Sequence, residues 1–231
     1  MNALASKNGL PKCIVLDTVK GKGWSVTEGK TGIHHIAITD EMMSEAEKEF
    51  EERSCKPMKQ YATDMRTALA DTLIELEGTN DRILWLDADL MASSGMNRFK
   101  AAYPDKVINC GIQEANMFGV AAGLSEEGFI PFVHSFGAFA SRRIADQIFM
   151  SGVYARQDVR IVGSDPGISA GPNGGTHISL EDIGILRSLP GTIILEPCDP
   201  VQLRSVIAQT TSQRGIFYIR LMRKTKEQFY E

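Results

Sequence analysis

Short apolar runs alternate with longer amphipathic segments from about residue 60 to the end of the chain. Six of these runs fit buried strands: RILWLDADL, KVINC, FIPFVHS, DVRIVGS, TIILEP and GIFYIRL. Buried strands that alternate with helices predict an α/β fold, in which helices cover both faces of a mainly parallel six-stranded sheet.

The segments between the strands carry apolar residues at helical spacing. The first of them follows Asp64, a residue type that caps helices, and places Met65, Leu69 and Leu73 on one face. We predict further helices within 111–125, at about 138–152, at about 179–187 and at about 200–210.

The pattern is different before residue 58. CIVLD at 13–17 fits a short buried strand, and a Gly- and Lys-rich loop follows it. The charged run 40–54 fits a solvated helix capped by Asp40. Residues 1–57 are therefore predicted to be a short N-terminal appendage, and residues 58–231 the main domain.

The predicted strands end at a set of polar and small residues. In open parallel sheets, ligands bind beyond the carboxyl ends of the strands. Six residues fall at that edge: Asp87, Asp89, Glu114, Ser135, Gly163 and Arg223. The sequence therefore predicts a ligand site along this edge of the sheet.

Glu114 is the single acid in GIQEANMFGVAAGLS, residues 111–125. Because Met117, Val120 and Leu124 recur at helical spacing, we expect this helix to pack inside the protein, where a carboxylate needs a partner. The alternative is an ordinary acid that favours a helix N-terminus. Three glycines in the same segment would let another chain or a ligand approach the backbone closely.

Composition restricts the function. The 231 residues are 43% hydrophobic, enough for a full core, and 25 basic against 29 acidic residues give no basic excess for nucleic-acid binding. The four cysteines lack C-x-x-C spacing, which favours reduced thiols and a cytoplasmic protein. No signal peptide or membrane span is expected.

Several common site motifs are missing. The chain has no G-x-G-x-x-G after a strand and no G-x-x-x-x-G-K-[ST], which disfavours a nicotinamide dehydrogenase and a P-loop NTPase. It also has no G-x-S-x-G nucleophile elbow. The pair His34 and His35 could suggest a metal, but adjacent histidines usually point apart and no third ligand is near in sequence, so no metal site is predicted.

Four segments in order carry a family resemblance: LWLDADLMASSGM, GIQEANMFGVAAGLS, FVHSFGAFASRRIADQI and GISAGPNGGTHISLEDI. They resemble the pyrimidine-binding domain of the transketolase family of thiamine-diphosphate enzymes, in the form found in split transketolases. The resemblance implies the thiamine-diphosphate-binding fold for residues 58–231. TVKGKGW resembles the end of the diphosphate-binding domain, so residues 1–57 would be the tail of that domain and a linker.

The resemblance also implies roles for individual residues. Glu114 matches the glutamate that hydrogen-bonds the ring nitrogen of the cofactor's aminopyrimidine and exchanges a proton with it. Phe136 and Phe139 match the aromatic residues that pack this ring; core residues at i, i+3 on a helix are the alternative, and Phe132 could replace one of them. His177 matches the family's active-site histidine, against the alternative of an ordinary loop histidine.

Further matches concern the substrate and the interface between chains. Asp89 resembles the interface acid near the cofactor, with a strand-end cap as the alternative. Arg66, Ser93 and Arg223 match positions that bind the sugar phosphate, and one of His34 and His35 would match a substrate histidine. Asp165 lies near the place of a family aspartate, but Pro166 and Gly167 depart from the pattern.

The chain also departs from the family. It lacks the GDG motif that holds the divalent metal, and the third, C-terminal domain is expected to be absent. The resemblance implies a transketolase component of the pentose phosphate pathway, an incomplete chain or a subunit, which moves a two-carbon ketol unit between phosphosugars and is inactive without a partner or the missing domain. The implied partner chain carries the diphosphate-binding domain and Mg²⁺, in a homodimer or a hetero-oligomer. The alternatives are a 1-deoxyxylulose-5-phosphate synthase-like enzyme and a non-catalytic binding or regulatory subunit.

Overall fold

The computed structural model describes residues 24–30, 39–54 and 63–223. The chain divides into two compact units, with the boundary between residues 58 and 59. The strand predicted at 13–17 and both His34 and His35 lie outside the described residues. What the first unit represents in the family therefore stays a prediction.

In the first unit, Trp24–Lys30 form a turn and α1 runs over Asp40–Ser54. The predicted cap is wrong by one residue: Asp40 is the first helical residue, and the hydroxyl of Thr39 accepts a hydrogen bond from the Met42 N–H at 3.3 Å. Threonine is also a favoured cap, so the sequence offered two adjacent candidates.

The second unit is built on one sheet. Its strands are β1 Ile83–Asp87, β2 Val107–Asn109, β3 Ile130–Phe136, β4 Val159–Ser164, β5 Thr192–Leu195 and β6 Ile216–Leu221. They lie in the order β2-β1-β3-β4-β6-β5, and every neighbouring pair is parallel. The predicted α/β fold with a six-stranded sheet is confirmed.

Helices connect these strands. They are α2 Met65–Asn80, α3 Met91–Ser94, α4 Asn97–Ala102, α5 Glu114–Glu126, α6 Ala145–Gln147, α7 Asp182–Arg187 and α8 Pro200–Thr211. Two of the longer ones, α2 and α8, begin at caps: Asp64 accepts from the Thr67 N–H and Asp199 from the Gln202 N–H, each at 2.7 Å. Such caps satisfy backbone donors that a helix leaves unpaired.

The sheet separates two apolar layers. Alternate residues of one strand point to opposite faces, so Trp85 packs with α2 and α8, while Leu84 and Leu86 pack with α5. β1, β3 and β4 are buried along their whole length. Helices therefore cover both faces of the sheet, as a parallel sheet requires.

The structure corrects the helix predicted at 138–152. The chain turns through 137–141, then forms a short 3-10 segment at Arg142–Ile144, α6, and a π-helical segment at Ile148–Tyr154. The Gly137 N–H donates to Ser164 O at 2.7 Å, which ties the turn to the end of β4. Phe136 therefore ends β3 and Phe139 lies in the turn, so the helical alternative for this pair is wrong.

The helix predicted at 179–187 also begins later, at Asp182. Ser179 instead forms an antiparallel bridge with Gly167, which closes the base of the Gly-rich loop between them. The Ser179 side chain fills the space beside Gly137, where an added Cβ would lie 3.2 Å from it. This tertiary contact, not local propensity, decides where α7 begins.

Candidate active site

Glu114 lies at the start of α5, and only 2% of its surface is exposed. Each carboxylate oxygen has one partner. The Ser135 hydroxyl donates to Oε1 at 2.9 Å, and the Arg143 guanidinium donates to Oε2 at 2.7 Å. Ser135 belongs to β3 and is fully buried, whereas Arg143 is 44% exposed. The acid is therefore inside the protein and paired, as its surroundings in sequence require.

Three aromatic rings pack together, and Arg143 links one of them, Phe139, to this carboxylate. His177 meets Phe136 and Phe139 edge to face, with ring centroids 5.0 Å apart in both pairs, and the two phenylalanines are 6.3 Å apart. The Arg143 guanidinium lies over the Phe139 ring, 3.9 Å from its centroid. The structure thus brings four of the predicted residues, Glu114, Phe136, Phe139 and His177, into one place.

The loop that carries His177 is held at several points. The His177 N–H donates to Gly174 O at 3.1 Å, and Gly174 has a φ of 81°, which favours glycine. Arg142 donates to Thr176 O at 3.3 Å and to Glu181 at 2.7 Å. These bonds position the imidazole, and its Nδ1 lies 3.0 Å from the Thr176 hydroxyl.

Arg223 reaches the same place from beyond β6. Its guanidinium carbon is 5.2 Å from the centroid of Phe136, and it forms a close ion pair with Asp165. One of its nitrogens lies 3.5 Å from the main-chain oxygen of Ser93. Asp165 has a φ of 52° and its N–H donates to Leu221 O at 3.0 Å. The aspartate that matched the family poorly therefore lies against a predicted substrate arginine.

Arg66 and Asp89 take part in separate local networks. Arg66 pairs with Asp64 at 3.0 Å. Asp89 is exposed, with a φ of 63°, and accepts from the Asn109 amide at 3.0 Å. The contacts that join Glu114 to the aromatic rings and Arg223 do not include either residue, so their predicted roles depend on what binds at the edge of the sheet.

A buried network of polar side chains lies at the ends of the central strands. Asp87 and His134 are 3.3 Å apart through Oδ2 and Nδ1, and Nε2 of His134 is 3.0 Å from the Ser164 hydroxyl. Asp87 also accepts from the Trp85 indole at 3.2 Å and from the Leu90 N–H. These hydrogen-bonded side chains cross β1, β3 and β4 near their carboxyl ends, and they fix the starts of the loops that follow these strands.

No three His, Cys, Asp or Glu side chains lie together as metal ligands in the described parts of the chain. In those same parts, none of the helices has both the length and the hydropathy of a membrane span. These two findings concern residues 24–30, 39–54 and 63–223 alone.

The arrangement suits a flat heterocycle that carries a hydrogen-bonding nitrogen. A buried carboxylate provides the partner for that nitrogen, and Phe136 and Phe139 provide aromatic surface beside it. Arg223 provides a forked cation for an anionic group nearby. The residues present therefore fit the aminopyrimidine part of thiamine diphosphate.

The comparison with protein families gives one match over most of the chain. Residues 62–227 match the family model described as transketolase, pyrimidine binding domain. Over 160 residues the chain is 51% identical to the 6-deoxy-6-sulfo-D-fructose transketolase subunit SqwH of Clostridium sp. (strain MSTE9), and the match covers 69% of this chain and 50% of that protein.

Two further relatives extend the comparison. The chain is 32% identical over 166 residues to an apulose-4-phosphate transketolase subunit of Phocaeicola vulgatus, with 72% of this chain and 53% of that protein covered. It also matches a solved structure described as a split gene transketolase, inactive β4 tetramer, with a TM-score of 0.66, 34% identity, and 74% and 55% of the two chains covered. The chain spans about half the length of the curated relatives it matches.

Proposed function

The chain belongs to the transketolase family, and on that premise we propose that it is the pyrimidine-binding component of a split transketolase. The observation that carries the proposal is the buried, paired carboxylate of Glu114 beside Phe136, Phe139 and His177. Buried acids are costly to keep in a fold, and they are common where a proton must be held or moved.

Thiamine diphosphate supplies the carbon centre that carries the two-carbon unit from one sugar to another. Glu114 would hold the ring nitrogen and exchange a proton with it through Oε2, while Ser135 keeps Oε1 in place. Phe136 and Phe139 would pack the ring. His177 would donate to or accept from the substrate hydroxyl groups.

The proposal includes a partner chain that binds the diphosphate and Mg²⁺. The exposed face of α5 supports this. Val120, predicted to be inside, is 37% exposed, and an added Cβ at Gly119 or Gly123 would meet none of the described residues within 4 Å. These glycines therefore pack against none of the described side chains, and a second chain could approach the helix closely there. The relatives described as subunits support the same arrangement.

The substrate is proposed to be a sugar that ends in an anionic group. Arg223 lies beside Phe136, the ring that His177 also contacts, and it has the forked donors that suit a phosphate or a sulfonate. A phosphosugar is the substrate that the family resemblance implies. The 51% identity with a subunit named for 6-deoxy-6-sulfo-D-fructose makes a sulfosugar the second candidate.

A reconstitution experiment tests the proposed function. The chain would be mixed with a diphosphate-binding subunit of a split transketolase, together with thiamine diphosphate and Mg²⁺. Ketol transfer would then be measured from fructose 6-phosphate and from 6-deoxy-6-sulfofructose. We expect transfer from at least one donor, and a loss of transfer in Glu114→Gln but not in Glu75→Gln, which changes an exposed acid on α2.

The alternatives give different results when the same complex is also offered pyruvate and glyceraldehyde 3-phosphate. A 1-deoxyxylulose-5-phosphate synthase-like enzyme would consume pyruvate and glyceraldehyde 3-phosphate and release carbon dioxide. A regulatory subunit would form the complex without any transfer. Either result would overturn the proposal of ketol transfer.

A further inference from the structure

Arg143 makes both of the contacts that the proposed aminopyrimidine needs. It donates to Oε2 of Glu114 at 2.7 Å, and its guanidinium lies 3.9 Å above the centroid of Phe139. A guanidinium is flat, cationic and rich in N–H donors, so it shares these features with a protonated aminopyrimidine. Arg143 is the residue at this site to which the sequence motifs assign no role.

The two contacts of Arg143 occupy the carboxylate oxygen and the ring face that a second flat group would need. Oε1 of Glu114 is already bonded to Ser135, so Arg143 covers the remaining oxygen. It also covers a face of the Phe139 ring. A ring that hydrogen-bonds Oε2 from the side of Arg143 and stacks on the same face of Phe139 therefore has to replace Arg143.

Arg143 is the partner that can move. Ser135 is fully buried on β3 and its hydroxyl has a short, fixed reach. Arg143 is 44% exposed and comes from a 3-10 segment, with several rotatable bonds between its backbone and its guanidinium. Water is available to solvate the guanidinium once it leaves the carboxylate.

We propose that Arg143 is a placeholder for the cofactor's aminopyrimidine: it neutralises Glu114 in the cofactor-free chain and is displaced when the ring binds. This inference rests on the proposed function, because the ring is the group that displaces it. Removal of the ion pair should weaken the free chain, since a buried carboxylate without its cation is costly. It should strengthen cofactor binding, because the site no longer has to be vacated.

The first test measures the pairing in the free chain, without cofactor or partner. Arg143→Met should lower the melting temperature by several degrees, and the same change in a Glu114→Gln background should lower it by less than half as much. Arg98→Met is the matched control, because Arg98 pairs with Asp71 at the same 2.7 Å. Its effect should be equal in both backgrounds.

Equal losses from Arg143→Met in the two backgrounds would show that Arg143 and Glu114 are not paired in solution, and they would overturn the inference. If Arg143→Met does not fold, Arg143→Lys serves instead, because it keeps the charge but loses the flat, forked donors. Arg143→Lys should show a smaller coupling to Glu114 than the arginine does.

The second test measures the affinity of the complex for thiamine diphosphate by calorimetry, at fixed Mg²⁺. The Arg143→Met complex should bind thiamine diphosphate about three- to tenfold more tightly. The reason is that a site free of Arg143 in only a fraction of the molecules has its apparent affinity reduced by that fraction. Arg98→Met should bind as the unmodified complex does. An unchanged or weaker affinity for Arg143→Met would mean that Arg143 stays in the site and helps to hold the ring, which overturns the placeholder role.

The two proposals fail in different ways. If the unmodified complex does not bind thiamine diphosphate, the proposed function is wrong. If it binds normally while Arg143→Met gives no tighter binding, the proposed function stands and the role of Arg143 is wrong.

Discussion

Glu114 combines two properties that oppose each other at the residue scale. Its burial makes the charge expensive, and its two hydrogen-bonding partners make the charge tolerable. A carboxylate that only stabilised the N-terminus of α5 could do so from an exposed position, because its interaction with the helix dipole does not need burial. Its burial beside three aromatic rings is the reason to assign it a chemical role.

That role gives the first prediction. In a reconstituted complex, Glu114→Gln should keep the fold and much of the cofactor binding, because glutamine is nearly isosteric and still hydrogen-bonds. It should slow proton exchange at C2 of the cofactor by about 100-fold or more, the usual scale for the loss of a general acid–base group. Hydrogen–deuterium exchange followed by NMR measures this rate, and Glu75→Gln is the control.

An exchange rate close to that of the unmodified complex would contradict the role of Glu114 as a proton-exchanging group. Cofactor binding should be checked on the same samples. A complex that has lost the cofactor would also show slow exchange, for a different reason.

The sequence predicted some of the site residues but not how they are linked. Glu114, Phe136, Phe139 and His177 stand in short motifs, and the structure brings them together. Arg143 follows Phe139 closely in the chain, but its contact with Glu114 joins residues 29 positions apart. A long side chain can reach many places, so only the folded chain shows which carboxylate it meets. One indication of this contact was present in the sequence, because a buried acid such as Glu114 needs a cation as its partner.

At the scale of elements, strands were easier to predict than the segment after β3. The inner strands β1, β3 and β4 are mainly apolar runs, and burial on both faces produces that pattern directly. The segment 137–154 has helical composition, but its conformation depends on the bond from Gly137 to Ser164 and on contacts with α5. The same reason explains why α7 begins at Asp182 instead of Ser179.

Gly163 shows how closely β4 and β6 pack. A Cβ added there would lie 2.6 Å from Cε2 of Tyr218, a fully buried ring whose hydroxyl donates to Asp182 at 2.8 Å. Gly163→Ala should therefore destabilise the chain by about 1–3 kcal/mol, the usual cost of overpacking. Urea unfolding measures the change. Gly184→Ala, at an exposed glycine of α7 with open space around it, should cause no loss.

The cap of α2 gives a prediction that depends on pH. Burial tends to raise the pKa of Asp64, but hydrogen bonds from Thr67 and Arg66 outweigh it and hold the pKa below its ordinary value. The ionised Asp64 therefore stabilises the fold, and its full contribution is present above the pKa of the unfolded chain, about 3.9. The contribution is lost as the pH falls through the lower pKa of the folded state. Asp64→Ala should cost about 1 kcal/mol at pH 7.

Urea unfolding of the unmodified chain and of Asp64→Ala, repeated from pH 7 to pH 3, tests the cap. The difference between them should be constant down to about pH 4 and should shrink below it. A difference that grows on acidification would show that Asp64 is not the ionised cap of α2.

At the scale of the whole molecule, the proposed function gives this chain one half of the site that the chemistry needs. In that proposal, the described residues hold the aminopyrimidine, and a partner chain holds the diphosphate and its metal. The chain alone should therefore bind thiamine diphosphate weakly and show no ketol transfer. Calorimetry with cofactor and Mg²⁺ measures the binding, and tight binding by the lone chain would contradict the division of the site between two chains.

The face of α5 that would meet the partner can be tested without touching the chemistry. Gly119 is exposed, and an added Cβ there meets nothing within 4 Å in the part of the chain that the structure describes, so Gly119→Leu should fold normally. It should even raise the melting temperature, because leucine favours a helix by up to about 1 kcal/mol over glycine. The same bulk should prevent a second chain from approaching the helix, and we expect assembly to weaken at least about tenfold.

Light scattering of the chain with and without the diphosphate-binding subunit measures that assembly. Ala208→Leu is the control, because Ala208 is exposed on α8, whose apolar side packs on the opposite face of the sheet from α5. It should leave assembly unchanged. If Gly119→Leu assembles as well as the control while it folds normally, the partner does not cover α5, and the glycines of this helix need another explanation. If Gly119→Leu instead lowers the melting temperature, the leucine disturbs the lone chain, and the face of α5 is not free as the structure shows it.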